Sequence, residues 1–210
     1  VRAASGQALY DGKEYKAEGL VSDTFVIDGL TYSVEGLTAS AGGTDAGTYP
    51  VPVTGTPVIR DSAGNDVTQQ FVVRTESGTM TINKRLLILT SESAEKVYDG
   101  TALTNDTVTV TGDGFATGEG ASYDVTGAQT EVGSSANAFT YTLNEGTKAD
   151  NYEIETVFGT LTVTELTDKG LQVEALDALS LAEQAGSAKA VNIVLMGRAA
   201  KQFGIPYERW

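Results

Sequence analysis

Lys96-Val-Tyr-Asp-Gly-Thr101 has an earlier copy in Ala8-Leu-Tyr-Asp-Gly-Lys13, and this pair decides how the chain divides. Each copy opens a segment of alternating Thr- and Val-type residues. Each segment then closes on a similar phrase, Gly78-Thr-Met-Thr-Ile82 in the first and Gly159-Thr-Leu-Thr-Val163 in the second. The reading is a tandem repeat with units at 1–83 and 84–165, followed by a compositionally different tail at 166–210. Each unit, at roughly 80 residues, is long enough for a small sandwich core while leaving much of its surface exposed.

The composition fits this division. The 210 residues are 40% apolar, with 24 Gly and only 4 Pro, and short Thr/Val-rich runs between glycine-containing turns read as all-β. Of the formal net charge of −14, residues 1–164 carry −13, from 9 Lys/Arg against 22 Asp/Glu. A surface of that sign repels phosphate backbones and anionic lipid, so nucleic acid is not expected as a partner, and solubility at high local density is the simplest use of the charge. The absence of Cys and His removes disulfides, thiolate nucleophiles, Cys/His zinc sites and the commonest general base. No run of about 18 apolar residues is present, so no membrane insertion is expected. Val1-Arg-Ala-Ala-Ser5 has neither an initiating Met nor a signal-peptide pattern, and the expectation is a processed or excised piece of a longer chain.

Within the first unit, candidate strands lie at 15–16, 24–27 and 31–34. Asp28-Gly29 between Phe25-Val-Ile27 and Leu30-Thr-Tyr32 predicts a type I′ hairpin. Gly42-Gly-Thr-Asp-Ala-Gly47 is read as loop, and the two prolines of Thr48-Tyr-Pro-Val-Pro-Val53 place that run at a sheet edge or strand start. Asp61-Ser-Ala-Gly-Asn65 is a turn cluster, followed by residues 67–74. In the closing strand Met80 and Ile82 should point inward. Residues 80–90, Met-Thr-Ile-Asn-Lys-Arg-Leu-Leu-Ile-Leu-Thr, hold no Gly or Pro, so the last strand of one unit should run almost directly into the first of the next. A linker of near-zero length predicts a stiff join and an elongated arrangement. The second unit repeats the pattern through Thr107-Val-Thr-Val-Thr111, Ser122-Tyr-Asp-Val-Thr126, Phe139-Thr-Tyr-Thr-Leu143 and Asn151-Tyr-Glu-Ile154.

Val97-Tyr-Asp-Gly-Thr101, Val125-Thr-Gly-Ala-Gln-Thr-Glu-Val-Gly133, Asn151-Tyr152 and Gly159-Thr-Leu-Thr-Val163 resemble the Tyr-Asp-Gly repeats of bacterial cell-surface proteins, the MBG-type Ig-like domains. Asp45-Ala-Gly-Thr-Tyr49 and Gly78-Thr-Met-Thr-Ile82 extend the resemblance to the first unit, so that it spans about three-quarters of the chain. It implies Ig-like β-sandwich modules of an extracellular stalk or adhesin on a bacterial surface, in arrays, and it carries over no catalytic residue.

Several constellations bear on chemistry. Tyr10-Asp11-Gly12 and Tyr98-Asp99-Gly100 could present an aromatic platform beside a carboxylate, as in sugar recognition. The structural reading outweighs it: Gly supplies φ > 0, Asp bonds its local backbone, and Tyr plugs the end of the core with its hydroxyl satisfied, once per repeat. Asp61, Asn65 and Asp66 are weak candidates for a Ca²⁺ site, since Asx-rich turns are common without metal. An isopeptide cross-link would need a Lys, an Asn or Asp acceptor and a catalytic carboxylate gathered in an apolar core; Lys16, Lys96 and Asn83 are present, but no spacing selects a trio. Glu153 and Glu155 lie at i, i+2 on one strand face and read as a solvated face rather than a hydrolase pair. No catalytic residue, cofactor or resident metal is therefore expected.

After Glu165 the sequence turns to Ala and Leu at helical spacing: Leu171, Ala175, Ala178, Ala182 and Ala185 form a stripe that Gly186 ends. Ala190-Val-Asn-Ile-Val-Leu-Met196 is apolar nearly all round, as in a buried helix, and Pro206 suits the start of another helix that the chain cuts short four residues later. Ala182-Glu-Gln-Ala-Gly186, Lys189-Ala-Val-Asn-Ile-Val-Leu-Met-Gly197 and Gly204-Ile-Pro-Tyr-Glu-Arg-Trp210 resemble the C-terminal end of the gamma-type domain of 2-oxoacid (indolepyruvate-like) ferredoxin oxidoreductases. That domain's glycine-rich opening is absent, so no oxidoreductase activity follows.

The expectation is thus a mainly β, non-enzymatic spacer: two tandem Ig-like sandwiches in series and a short α-helical tail, either fused or truncated. One alternative is a surface module binding a host glycan or protein. The other is an assembly subunit that contacts neighbouring repeats or self-associates through 166–210.

Overall fold

The computed structural model describes residues 1–165, 178–184, 186 and 195. The chain separates into two compact units, Val1–Val163 and Thr164–Trp210. The first is mainly β, built from short strands divided by glycine turns.

Residues 1–83 contain β1 (Gly6–Leu9), β2 (Tyr15–Glu18), β3 (Thr24–Ile27), β4 (Leu30–Gly43), β5 (Gly47–Val51), β6 (Val53–Arg60) and β7 (Gly78–Asn83). One sheet has the order β1-β7-β5; in the other, β4 pairs with β2, β3 and β6. The β3–β4 hairpin turns on Asp28 at φ 50° and Gly29 at φ 80°, with Ile27 opposite Leu30. This is the backbone that the Asp-Gly dipeptide predicts, because a type I′ turn needs positive φ at both central residues. Pro50 sits in β5, an edge strand, where a missing N–H costs no ladder bond. In β7, Gly78, Met80 and Ile82 are buried, the expected inward face.

One expectation fails here. Gly42 and Gly43 belong to β4 rather than to a loop, paired with Lys16 and Tyr15 of β2. Their lack of a side chain is the reason: a Cβ on Gly42 would overlap the Tyr15 carbonyl oxygen, and one on Gly43 would overlap the Tyr49 ring. These glycines permit close strand approach instead of breaking the strand. Residues 68–70 form a 3-10 turn, Thr68–Gln70, and the backbone beyond it is irregular until the Glu76 bridge to Arg2.

Only Lys84 separates β7 from β8 (Arg85–Ser91), so the strand-to-strand join is as direct as the sequence implies. Then follow β9 (Ala94–Val97), β10 (Val108–Gly112), β11 (Ala121–Val125), β12 (Gly133–Ala136), β13 (Phe139–Leu143), a 3-10 turn at Ala149–Asn151, β14 (Tyr152–Val157) and β15 (Thr160–Thr164). The sheets are β10-β8-β14, β11-β13 and β12-β15-β9. β14 runs parallel to β8 over six residue pairs, from Tyr152–Arg85 to Val157–Thr90.

A single core cluster passes through both segments. Ala17, Ala39, Val51, Met80 and Ile82 supply one part, Leu87, Leu89 and Phe139 the other, and Tyr10 and Tyr152 belong to the same cluster. Burial of this apolar surface, at about 25 cal/mol per Å², is the main favourable contribution to folding.

In the second unit the described helix is α1 (Ala178–Gln184). Ala182 is buried, as its place in the stripe predicts, and Gly186, at φ 91°, donates its N–H to the Glu183 carbonyl in the turn that ends the helix. Leu195 is helical but half-exposed, which departs from the fully buried helix expected at 190–196. The expectations at Leu171, Ala175, Ala185 and Pro206 fall outside the described residues.

Candidate functional site: the junction of residues 1–83 and 84–165

The direct join brings the end of β1 against the second segment. β1 is parallel to β7, with Leu9 opposite Asn83, so Tyr10 is delivered beside the start of β8. Tyr10 is 4% exposed, and its ring packs edge-on against Tyr152, with centroids 5.7 Å apart and planes at 82°. Phe115 adds a second edge contact to Tyr152 at 5.4 Å. Such aromatic pairs contribute about 0.5–1.5 kcal/mol beyond area burial.

Both phenols converge on one carboxylate. Tyr10 Oη donates to Glu119 Oε1 at 2.5 Å, and Tyr152 Oη donates to Glu119 Oε2 at 2.7 Å while accepting the Ala116 N–H at 3.0 Å. Burial first, and then the neighbouring Glu119, push the Tyr10 phenol up to about 12 and also raise Tyr152. Both effects disfavour the phenolate, so the two hydroxyls stay protonated and act as donors.

A second group closes the junction from the β4–β5 turn. Asn151, fully buried, accepts the Ala46 N–H at 2.7 Å through Oδ1 and donates Nδ2 to Asp45 Oδ1 at 3.0 Å. Lys148 Nζ reaches Asp45 Oδ2 at 2.7 Å. These two partners, Lys148 first, hold the Asp45 carboxyl below the usual carboxylate range. Arg85 completes the set: Nε donates to the Gly114 carbonyl at 2.7 Å, Nη1 to the Tyr10 carbonyl at 3.2 Å, and Nη2 to the Asp113 carbonyl. Carboxylates, phenols, amide and guanidinium are all engaged within the junction. The arrangement fastens two segments.

The two Tyr-Asp-Gly motifs share their turn and differ in their tyrosine. Asp11 Oδ1 accepts the Lys13 N–H at 3.0 Å and Asp99 Oδ1 the Thr101 N–H at 2.9 Å, with Gly12 at φ 83° and Gly100 at φ 79°. The plug expected at both tyrosines forms only at Tyr10. Tyr98 remains 39% exposed, because the carboxylate and ring that cover Tyr10 come from the segment after it, and among the described residues Tyr98 has no such cover. Lys96 is spent on the turn, donating to Asp99 Oδ1 at 2.6 Å and to Thr101.

The candidate calcium ligands sit in a self-satisfied turn. Asp61 Oδ1 accepts the Ala63 and Asn65 N–H groups, each at 2.9 Å, Asp61 Oδ2 accepts Asn65 Nδ2 at 3.0 Å, and Asp66 Oδ1 accepts the Thr68 N–H at 3.0 Å. Among the described residues no three Asp or Glu side chains gather as a metal site, and no helix is long and apolar enough to cross a membrane. Lys16 pairs with Glu14 at 3.1 Å on the surface, and Lys96 with Asp99 at 2.6 Å. Glu153 and Glu155 lie exposed on β14.

Sequence reasoning does not single out Glu119, Lys148 or Arg85. Asp45 and Asn151 stand out only as parts of recurring phrases. Tyr10 and Glu119 are 109 positions apart, Asp45 and Asn151 106, and no local periodicity links them. Compared with known protein families, with characterised proteins and with solved structures, the chain matches none.

Proposed function

We propose that residues 1–165 form a non-enzymatic spacer: two Ig-like β-sandwich repeats set end to end, of the kind that carry a functional head away from a bacterial surface. The observation that carries this reading is the junction. A one-residue connection, a core cluster shared across it and a closed set of side-chain bonds at Glu119 and Asp45 resist bending. The acidic surface supports it too, since like-charged modules remain soluble when crowded.

The chain has no cysteine, which makes a direct test simple. Spin labels on Ser62→Cys and Glu145→Cys, both at exposed positions, should give a single narrow distance distribution in the full chain. A broad or bimodal distribution would sink the spacer reading.

A binding module is the second reading, favoured by the exposed Tyr98 and Val132 beside strands of the β12-β15-β9 sheet. Glycan or protein capture that Tyr98→Ala abolishes would move this reading ahead of the spacer.

A further inference from the structure

Four Asp-Gly pairs occur in the chain: Asp11-Gly12, Asp28-Gly29, Asp99-Gly100 and Asp113-Gly114. The dipeptide carries a latent reaction, because a backbone nitrogen unshielded by a Cβ follows directly on a side-chain carboxyl carbon that it can attack. The four pairs share most of their local geometry. Each glycine has positive φ, at 83°, 80°, 79° and 70° in chain order, and each has open space where a Cβ would stand.

What separates them is the carboxylate. Asp11 Oδ1 accepts the Lys13 N–H at 3.0 Å, and Oδ2 pairs with Lys13 Nζ at 3.1 Å. Asp99 Oδ1 accepts the Thr101 N–H at 2.9 Å, the Thr101 hydroxyl at 2.8 Å and Lys96 Nζ at 2.6 Å. Asp113 Oδ2 accepts the Leu86 N–H at 2.8 Å. Turning any of these carboxyl groups onto the following nitrogen costs at least one charge-assisted bond. Asp28 is exposed at the tip of the β3–β4 hairpin, and among the described residues its carboxylate has no such partner. It is also the one non-glycine among them with positive φ, 50°, a region where an L-residue is strained.

We propose that Asp28-Gly29 is a modification site, at which the chain forms an isoaspartyl linkage without an enzyme. The Gly29 amide nitrogen attacks Cγ of the protonated Asp28 carboxyl. The amide hydrogen and the carboxyl hydroxyl leave as water, and a five-membered succinimide closes. Water then adds to one of the two ring carbonyls. Addition at Cγ breaks the new C–N bond and restores aspartate. Addition at the main-chain carbonyl breaks the original peptide bond, so that the chain runs through Cγ and the former carbonyl becomes a free carboxylate. One water is lost and one regained, with no change of oxidation state. The isoaspartyl product lengthens a two-residue loop by one backbone atom. The type I′ turn and the Ile27–Leu30 register that it sets require a loop of two ordinary residues, so the modification releases the pairing of β3 with β4. This inference is independent of the spacer reading.

Prolonged incubation of the folded full chain at neutral pH tests it, with electron-transfer fragmentation of proteolytic peptides to locate isoaspartate. Isoaspartate should accumulate at position 28 at least tenfold faster than at 11, 99 or 113. In urea, where the carboxylates lose their partners, the four rates should draw together. Gly29→Ala should slow position 28 at least tenfold by placing a Cβ beside the attacking nitrogen. Lys96→Ala combined with Thr101→Val should speed position 99, since it removes the two side-chain donors to Asp99. In the isolated isoaspartyl form, amide exchange along Thr24–Ile27 should quicken. Equal rates at the four positions of the folded chain overturn the inference, as does a faster rate at 11, 99 or 113. A folded chain that forms no isoaspartate at 28 while the unfolded chain forms it at all four also overturns it, because the hairpin then protects the site.

Discussion

Glu119 is a half-buried carboxylate that receives two phenols from opposite segments, so the junction depends on one side chain more than on any other. Removing the acceptor leaves two buried hydroxyls to find new partners, at a cost of about 1–3 kcal/mol. Glu119→Ala should therefore lower stability by about that much in urea unfolding, and Tyr10→Phe by about 1 kcal/mol, since it deletes one donor and keeps the ring contact. The same pair determines the alkaline limb. Tyr10 is raised from 10.0 to about 12, so folding favours its protonated form. The contribution is fully present below pH 10 and is lost as pH rises towards 12. Tyrosinate absorbance should show Tyr10 titrating late in the folded chain, and Glu119→Gln should move it earlier. Asp45 behaves oppositely: its depressed carboxyl contributes above its unfolded value near 3.8, and the contribution fades as pH falls below that. Because the Lys148–Asp45 pair is largely exposed, Lys148→Ala should cost no more than about 1 kcal/mol.

At the level of elements, strands β7 and β8 bear most of the organisation. Their inward residues, Met80, Ile82, Leu87 and Leu89, are nearly inaccessible; in β7 the alternation that predicts this is plain in the sequence, whereas the four consecutive apolar residues Leu86 to Leu89 of β8 do not show which face is inward. Leu89→Ala should cost about 2–5 kcal/mol by denaturant unfolding, with the spread depending on how far β14 collapses onto the space. The β3–β4 hairpin allows a milder test. Gly29 has φ 80° and open space where a Cβ would stand, so Gly29→Ala should cost about 1 kcal/mol through backbone strain alone. Gly42 is the harsher case, because any Cβ there meets the Tyr15 carbonyl. Gly42→Ala should separate β2 from β4, visible as fast amide exchange along Tyr15–Glu18.

For the molecule as a whole, the question is whether residues 1–83 and 84–165 unfold together. A core cluster continuous through Tyr10 and Tyr152, across a one-residue connection, couples them. Calorimetry should show one transition for the region. Inserting Gly-Ser-Gly-Ser after Lys84 gives the segments freedom to part, and it should split that transition in two and broaden the Ser62–Glu145 label distance. A single unaltered transition after the insertion would mean that the junction contacts, rather than the short connection, maintain the coupling.

The sequence by itself determined the β character, the direct strand-to-strand join at residue 84, the Asp28-Gly29 hairpin, the edge position of Pro50 and the inward face of β7. Each of these follows from local chemistry: period-2 alternation, a dipeptide that tolerates positive φ, a ring that cannot donate. Only the tertiary structure decided that Tyr10 is covered while Tyr98 is not, that Gly42 and Gly43 continue a strand, and that Glu119, Asp45, Asn151, Lys148 and Arg85 fasten the junction. Identical Tyr-Asp-Gly phrases cannot differ in propensity. What separates them is the segment folded over one of them, and that contact joins residues more than a hundred positions apart.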